Sequence, residues 1–147
     1  KVKEIGIDYW GAVYNYSKAL CEKNAASEGV ASHCVFQHGD AKHLDFPDES
    51  FDVVISNYVY HNVMGADMQK LLLESLRVLK KGGVFALNDD MKPKMYGDMD
   101  AFVKQLKAEG ISEIHYIGNL EKKLDAIPGY VTTPWMISGM GIIYGKK

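Results

Sequence analysis

The chain has 147 residues, 47% of them hydrophobic and 24% charged, with a formal net charge of −2; this suits one domain with a sizeable core. Arg77 is the only arginine among 17 basic residues, and no basic stripe interleaves with aromatics, which argues against nucleic acid as a primary partner. No apolar run approaches the roughly 20 residues of a membrane helix. Cys21 and Cys34 form no CxxC pair, so reduced thiols in a cytoplasmic protein are the simplest reading.

The chain opens on a strand, Val2 to Ile7, that runs into Asp8, Tyr9 and Trp10. From about Ala12 to Ala26 the residues Val13, Tyr16, Leu20 and Cys21 recur at helical spacing, with Gly29 as the stop. "CVFQHGD", Cys34 to Asp40, reads as a second strand. "FPDES", Phe46 to Ser50, is turn chemistry. "FDVVISN", Phe51 to Asn57, has the continuous apolar character expected of a strand buried on both faces of a parallel sheet. Met68, Leu71, Leu72, Ser75, Leu76 and Leu79 mark a helix, with Lys80 and Lys81 suited to its negative end and Gly82-Gly83 stopping it. "VFALND", Val84 to Asp89, is a fourth strand. Asp98 caps a helix that buries Met99, Phe102, Val103 and Leu106 and ends at Gly110. Ser112 to Gly118 alternates as a strand, and Ser138 to Gly145 gives the last one.

Strands alternate with helices, so the fold class is α/β with a mainly parallel sheet and helices on both faces. The last two strands have no helix between them, which predicts antiparallel pairing at the C-terminal edge. Ligands in such sheets bind beyond the carboxyl ends of the strands. That rule singles out Asp8-Tyr9-Trp10, Asp40-Ala41-Lys42, Asn57-Tyr58 and Asp89-Asp90. For the last pair a solvated loop is the preferred reading.

The order "GIDYW", "GDA", "FPDESFDVVISNYVYHNV", "LLLESLRVLKKGGVFAL" resembles the class I S-adenosylmethionine-dependent methyltransferases, especially the group around the ubiquinone and menaquinone biosynthesis enzymes. The resemblance is densest from Gly6 to Leu87. It implies a Rossmann-like fold, S-adenosyl-L-methionine as cofactor and a small-molecule methyl acceptor. It also implies roles for particular residues. Asp8 would accept from the ribose hydroxyls, being acceptor-only and able to take two donors. Tyr9 would flank the adenosine. Asp40 would accept from the adenine amino group, and the Ala41 backbone N–H would meet an adjacent ring nitrogen. Asn57 and Tyr58 would lie beside the methionine portion, with His61 and Asn62 near the acceptor. Trp10 would either cover the adenosine or pack under the following helix. The family's first strand and glycine-rich loop have no counterpart in the seven residues before Asp8. An N-terminally truncated single domain is therefore expected, with a homodimer filling the missing strand position as one alternative.

Methyl transfer from a sulfonium needs proximity and alignment, and a base only where the acceptor must lose a proton. His61 is the candidate catalytic base, because imidazole titrates near neutrality; a packed loop histidine is the rival reading. Tyr58, Tyr60 and Trp135 are candidates to face the sulfonium by cation–π contact, against ordinary packing. His38, Asp40, His43 and Asp45 make no recognised zinc spacing, so no metal is expected. A nicotinamide-dependent oxidoreductase is the alternative enzyme class, since Asp8 also suits the ribose of NAD and Tyr14 and Lys18 stand in a Tyr-x-x-x-Lys spacing. A non-catalytic module of the same fold is the third reading. The loops Met91 to Asp98 and Leu120 to Ser138, the latter with Pro128, Tyr130, Pro134, Trp135 and Met136, are candidate substrate lids.

Overall fold

The computed structural model describes residues 3–10, 17–111, 113–124, 127–132 and 137–147. The chain divides into two compact units, Lys1–Asp45 and Phe46–Lys147.

In the first unit, β1 (Glu4–Asp8) and β2 (Cys34–His38) are joined through α1 (Lys18–Ser27). The strands pair in parallel, from Glu4 opposite Cys34 to Asp8 opposite His38, and a parallel pair requires such a crossover connection. β1 ends one residue later than the sequence predicts, so the acid itself closes the strand. α1 is shorter than expected. It starts after Ser17, whose extended backbone breaks the helical run. Val13 and Tyr16, expected on its apolar face, lie outside the described residues. Leu20 is 43% exposed, and Ala25 is the one buried residue of α1. Of the expected stripe, the described residues Leu20 and Cys21 are not buried; a two-stranded sheet is a narrow platform. The stop at Gly29 holds: Glu28 N–H and Gly29 N–H turn back to Asn24 O (3.0 Å) and Ala26 O (3.1 Å), with Gly29 in the left-handed region at φ +71.

The second unit runs β3 (Phe51–Asn57), α2 (Met68–Val78), β4 (Leu79–Asp90), α3 (Pro93–Tyr96), α4 (Met99–Ala108), β5 (Glu113–Ile117) and β6 (Met140–Lys146). Its sheet has the order β3-β4-β6-β5. β3 and β4 are parallel, and β6 is antiparallel to both β4 and β5. The antiparallel strand expected at this end is thus β6, with β5 outside it.

Asp67 opens α2 by accepting from Gln69 N–H (3.1 Å) and Lys70 N–H (3.3 Å). Met68, Leu71, Leu72, Ser75 and Leu76 are all buried, as the periodicity predicts. The end of the helix is not where the sequence places it. The helix stops at Val78, and Leu79 already belongs to β4, opposite Phe51. The register then jumps to Val53 opposite Val84, so the residues before Val84 form a bulge, with Gly82 at φ +79. Lys80 pairs with Asp52 at 2.9 Å. The cation at the helix terminus is instead Lys147, whose Nζ donates to Leu76 O (2.9 Å) and Leu79 O (2.8 Å). The α4 prediction holds in full: Asp98 accepts from Ala101 N–H at 2.9 Å, and Met99, Phe102, Val103 and Leu106 are buried.

The core lies on one face of this sheet. Phe85 and Leu87 of β4, Ile114 of β5 and Ile143 of β6 are all at most 3% exposed, and α2 and α4 contribute the facing side chains. Each such burial removes roughly 1.5–3 kcal/mol of apolar surface from water. On the opposite face Val53, Ile55, Val84 and Tyr144 are exposed, so β3 is not buried on both faces as its apolar run predicts; within this unit α2 packs on one face only. Among the described residues no helix is long and apolar enough to cross a membrane.

Candidate functional site

The first unit gathers Asp8, Tyr9, Trp10, Asp40 and Ala41 at the carboxyl ends of β1 and β2. Gly39 N–H donates to Asp8 O at 3.1 Å, which holds the two strand ends together. A Cβ on Gly39 would run into Ile7 Cγ2, so any larger residue there would require the Ile7 side chain to shift. The two acids build the same local turn. Asp8 Oδ1 accepts from Trp10 N–H and Asp40 Oδ1 accepts from Lys42 N–H, each at 2.9 Å. Trp10 takes a left-handed backbone, φ +42, and strain of this kind concentrates at ligand sites. Its indole Nε1 is buried with no hydrogen-bond partner among the described residues. Tyr9 is 62% exposed, and its ring lies 5.0 Å from that of His38.

The second unit gathers Asn57, Tyr58 and His61 beyond β3 with Asp89 and Asp90 at the end of β4. Asn57 pairs with Asn88, and Tyr58 N–H donates to Asn88 O at 2.9 Å. Tyr58 has φ +55, and its ring meets that of His61 edge-on at 5.5 Å. A single 3-10 turn, Tyr60–Asn62, is anchored on both sides. Tyr60 is 5% exposed and shares a 2.7 Å hydroxyl bond with Ser75 of α2. This is the ordinary packing that was one of the two readings for Tyr60.

His61 is tied to Asp89 twice: its backbone N–H donates to Oδ2 at 2.8 Å, and its Nδ1 is hydrogen-bonded to Oδ1. Asp89 also accepts from Tyr96 Oη (2.8 Å) and from Asp90 N–H (2.8 Å). The preference for Asp89 in a solvated loop is overturned, since Asp89 is 0% exposed. Three donors, His61 N–H, Tyr96 Oη and Asp90 N–H, and the bond to the His61 ring make this burial tolerable, because buried polar groups must be hydrogen-bonded. The sequence singles out Asp89 by its place at a strand end but not its burial, and it does not mark the buried Tyr96 that bonds to it. Periodicity along β4 was the available signal, since Asp89 continues the inward series Phe85, Leu87. Nothing local points to Tyr96.

More acid surrounds Tyr58. Asp90 pairs with Lys92 at 2.7 Å through Oδ2, and its Oδ1 is buried without a partner among the described residues. Glu121 is 3% exposed and accepts from Gly139 N–H at 3.1 Å. Burial first, then Asp90, Asp89 and Glu121, push the Tyr58 hydroxyl above its ordinary value of 10.0. The same causes, burial and then Asp89, raise Tyr96 further.

Among the described residues no group of three or more His, Cys, Asp or Glu side chains is placed to hold a metal ion. Lys18 pairs with Glu22 at 3.6 Å, while Tyr14, Pro134, Trp135 and Met136 lie outside the described residues.

Residues 2–87 match a family described as a methyltransferase domain. The chain is 38% identical over 81 residues to the uncharacterized methyltransferase YcgJ of Bacillus subtilis, covering 55% of this chain and 31% of that protein. It is 42% identical over 65 residues to a demethylmenaquinone methyltransferase of Listeria welshimeri, covering 44% and 27%. The chain thus spans about a third or less of the length of these curated relatives. Among solved structures it is similar to YcgJ (TM-score 0.62, 19% identity, covering 99% of this chain and 82% of that one). A geranyl diphosphate methyltransferase in complex with SAM matches with TM-score 0.61 at 14% identity, covering 99% and 69%. The [4+2]-cyclase SpnF matches with TM-score 0.65 at 16% identity, covering 99% and 67%. Likeness at such identities shows the fold, and the cyclase illustrates that one fold hosts several chemistries.

Proposed function

The chain belongs to the methyltransferase domain family, and on that premise we propose that it transfers a methyl group from S-adenosyl-L-methionine to a small-molecule acceptor in the cytoplasm. The observation that carries this reading is the pair of acids, Asp8 and Asp40, set on adjoining parallel strand ends by identical turns.

The residues present fit a nucleoside. A carboxylate at a strand end takes ribose hydroxyl donors. The buried Trp10 Nε1 is a donor without an acceptor among the described residues, and the exposed Tyr9 ring offers a stacking face. In this reading Asp8 binds the ribose, Tyr9 and Trp10 flank the base, Asp40 accepts from the adenine amino group and the Ala41 N–H meets a ring nitrogen. Within the second unit, taken by itself, His61 is the base for the acceptor, with Asn57 and Tyr58 beside it. When bound, the sulfonium supplies a methyl group already activated for displacement. The protein's own residues then align the acceptor and hold its proton.

Calorimetric titration with S-adenosylhomocysteine tests the proposal. Binding by the wild-type chain is expected, with Asp8→Asn weakening it by about 10- to 100-fold, the loss of roughly 1.5–3 kcal/mol from a charge-assisted hydrogen bond. Binding of NAD in place of S-adenosylhomocysteine would transfer the protein to the oxidoreductase class. Binding of neither would leave a non-catalytic module.

A further inference from the structure

We propose that Asp89 and Tyr96 are positioning residues that fix His61 in one tautomer, with Nε2 as the proton-accepting nitrogen. The acceptor is then a nucleophile whose reacting atom carries a proton that must leave. This rests on the methyl-transfer reading above and deepens it by naming the acceptor class.

The argument is one of donor and acceptor arithmetic. Both oxygens of Asp89 are fully used: Oδ1 by His61 Nδ1 and Asp90 N–H, Oδ2 by His61 N–H and Tyr96 Oη. Three donors of fixed sense, His61 N–H, Tyr96 Oη–H and Asp90 N–H, already meet Asp89, and Nδ1–H is the fourth donor that completes the lone-pair sites of a carboxylate. With the hydrogen on Nδ1, the neutral ring keeps a lone pair on Nε2. Nε2 has no hydrogen-bond partner among the described residues, while the His61 side chain is 25% exposed against 0% for Asp89. The backbone bond from His61 to the same carboxylate fixes the residue as well as its ring. Tyr60, locked to Ser75, keeps the turn from swinging away.

A histidine that only packed at this loop would need one such contact. Two bonds to a saturated, wholly buried carboxylate orient an imidazole for proton transfer. The step balances. When bound, the sulfonium would supply the methyl group and keep the electron pair of its sulfur–carbon bond, leaving as a neutral thioether, while the acceptor's electron pair would make the new bond to carbon. The acceptor's proton passes to Nε2, so the positive charge moves from sulfonium to imidazolium, beside Asp89.

The test is two-bond proton–nitrogen NMR on the whole chain labelled with 15N-histidine at neutral pH. His61 is assigned among the five histidines by its loss in His61→Asn. The wild type is expected to show His61 as the Nδ1–H tautomer, and Asp89→Asn to shift it to a mixture or to Nε2–H. Should Asp89→Asn fail to fold, Tyr96→Phe carries the test, with a second tautomer appearing for His61. An Nε2–H tautomer in the wild type, or a tautomer unmoved in the folded variants, would overturn the proposal. S-adenosylhomocysteine titration of the same samples separates the two ideas. Lost cofactor binding in the wild type with the Nδ1–H tautomer intact counts against methyl transfer alone. Normal binding with the wrong tautomer counts against the positioning role alone.

Discussion

The two units carry their chemistry in opposite ways. Among the described residues, the first unit has Ala25 as its single buried hydrophobic side chain, whereas the second packs Leu71, Leu72, Leu76, Leu79, Leu87 and Ile143 at most 4% exposed. Asp8 and Asp40 are placed by short turns and one glycine contact. Asp89 is placed by the core itself, at the end of the central buried strand. The contrast teaches that one acid can be placed by a strand end and a local turn, and another by the core. On the proposed reading the first kind binds and the second orients a base, its dry setting strengthening each hydrogen bond.

The largest test of that contrast is Leu72→Ala, which removes a 0% exposed side chain from α2 and is expected to cost about 2–5 kcal/mol in urea unfolding followed by circular dichroism. Next comes alkaline stability. Tyr96 is raised above 10.0 by burial and Asp89. Its contribution is therefore full below pH 10 and is lost as pH rises from there toward the folded value. The unfolded chain releases the phenolic proton first, at up to about 1.4 kcal/mol per pH unit. Unfolding at a series of pH values should show Tyr96→Phe with a shallower fall above pH 10 than the wild type. Lys147→Met, which strips the ammonium from Leu76 O and Leu79 O, should cost about 1–2 kcal/mol in the same assay. Asp98→Ala loses the α4 cap and should cost about 1 kcal/mol. Smallest of all, Leu20→Ala on the exposed side of α1 is expected to stay within about 0.5 kcal/mol. A large effect there would mean that the first unit has more of a core than its described residues display.

The sequence made the backbone frame legible wherever local rules decide it. β3 falls on Phe51–Asn57 as predicted, α2 and α4 bury the stripes their periodicity marks, and Asp98 caps as its position demands. The junction of α2 and β4 was misread because Leu79 satisfies both the helical period and the strand, and Lys147, which closes the helix, lies 68 residues away. The acids at the strand ends were visible by type and place. The burial of Asp89 was not, because it depends on Tyr96 and His61 arriving from separate segments. A charged residue at a strand end is more often solvated. The left-handed backbones of Trp10 and Tyr58 were likewise invisible, since nothing in an aromatic side chain announces a positive φ.

The central claim is that the strand-end acids of β1 and β2 bind the nucleoside of the cofactor. Amide chemical-shift mapping of the 15N-labelled chain with S-adenosylhomocysteine tests it most directly. The amides of Tyr9, Trp10, Ala41 and Lys42 are expected to shift together and to saturate with one affinity, and Asp8→Asn to weaken that response. Saturable shifts confined to other segments, with these four amides unmoved, would contradict it.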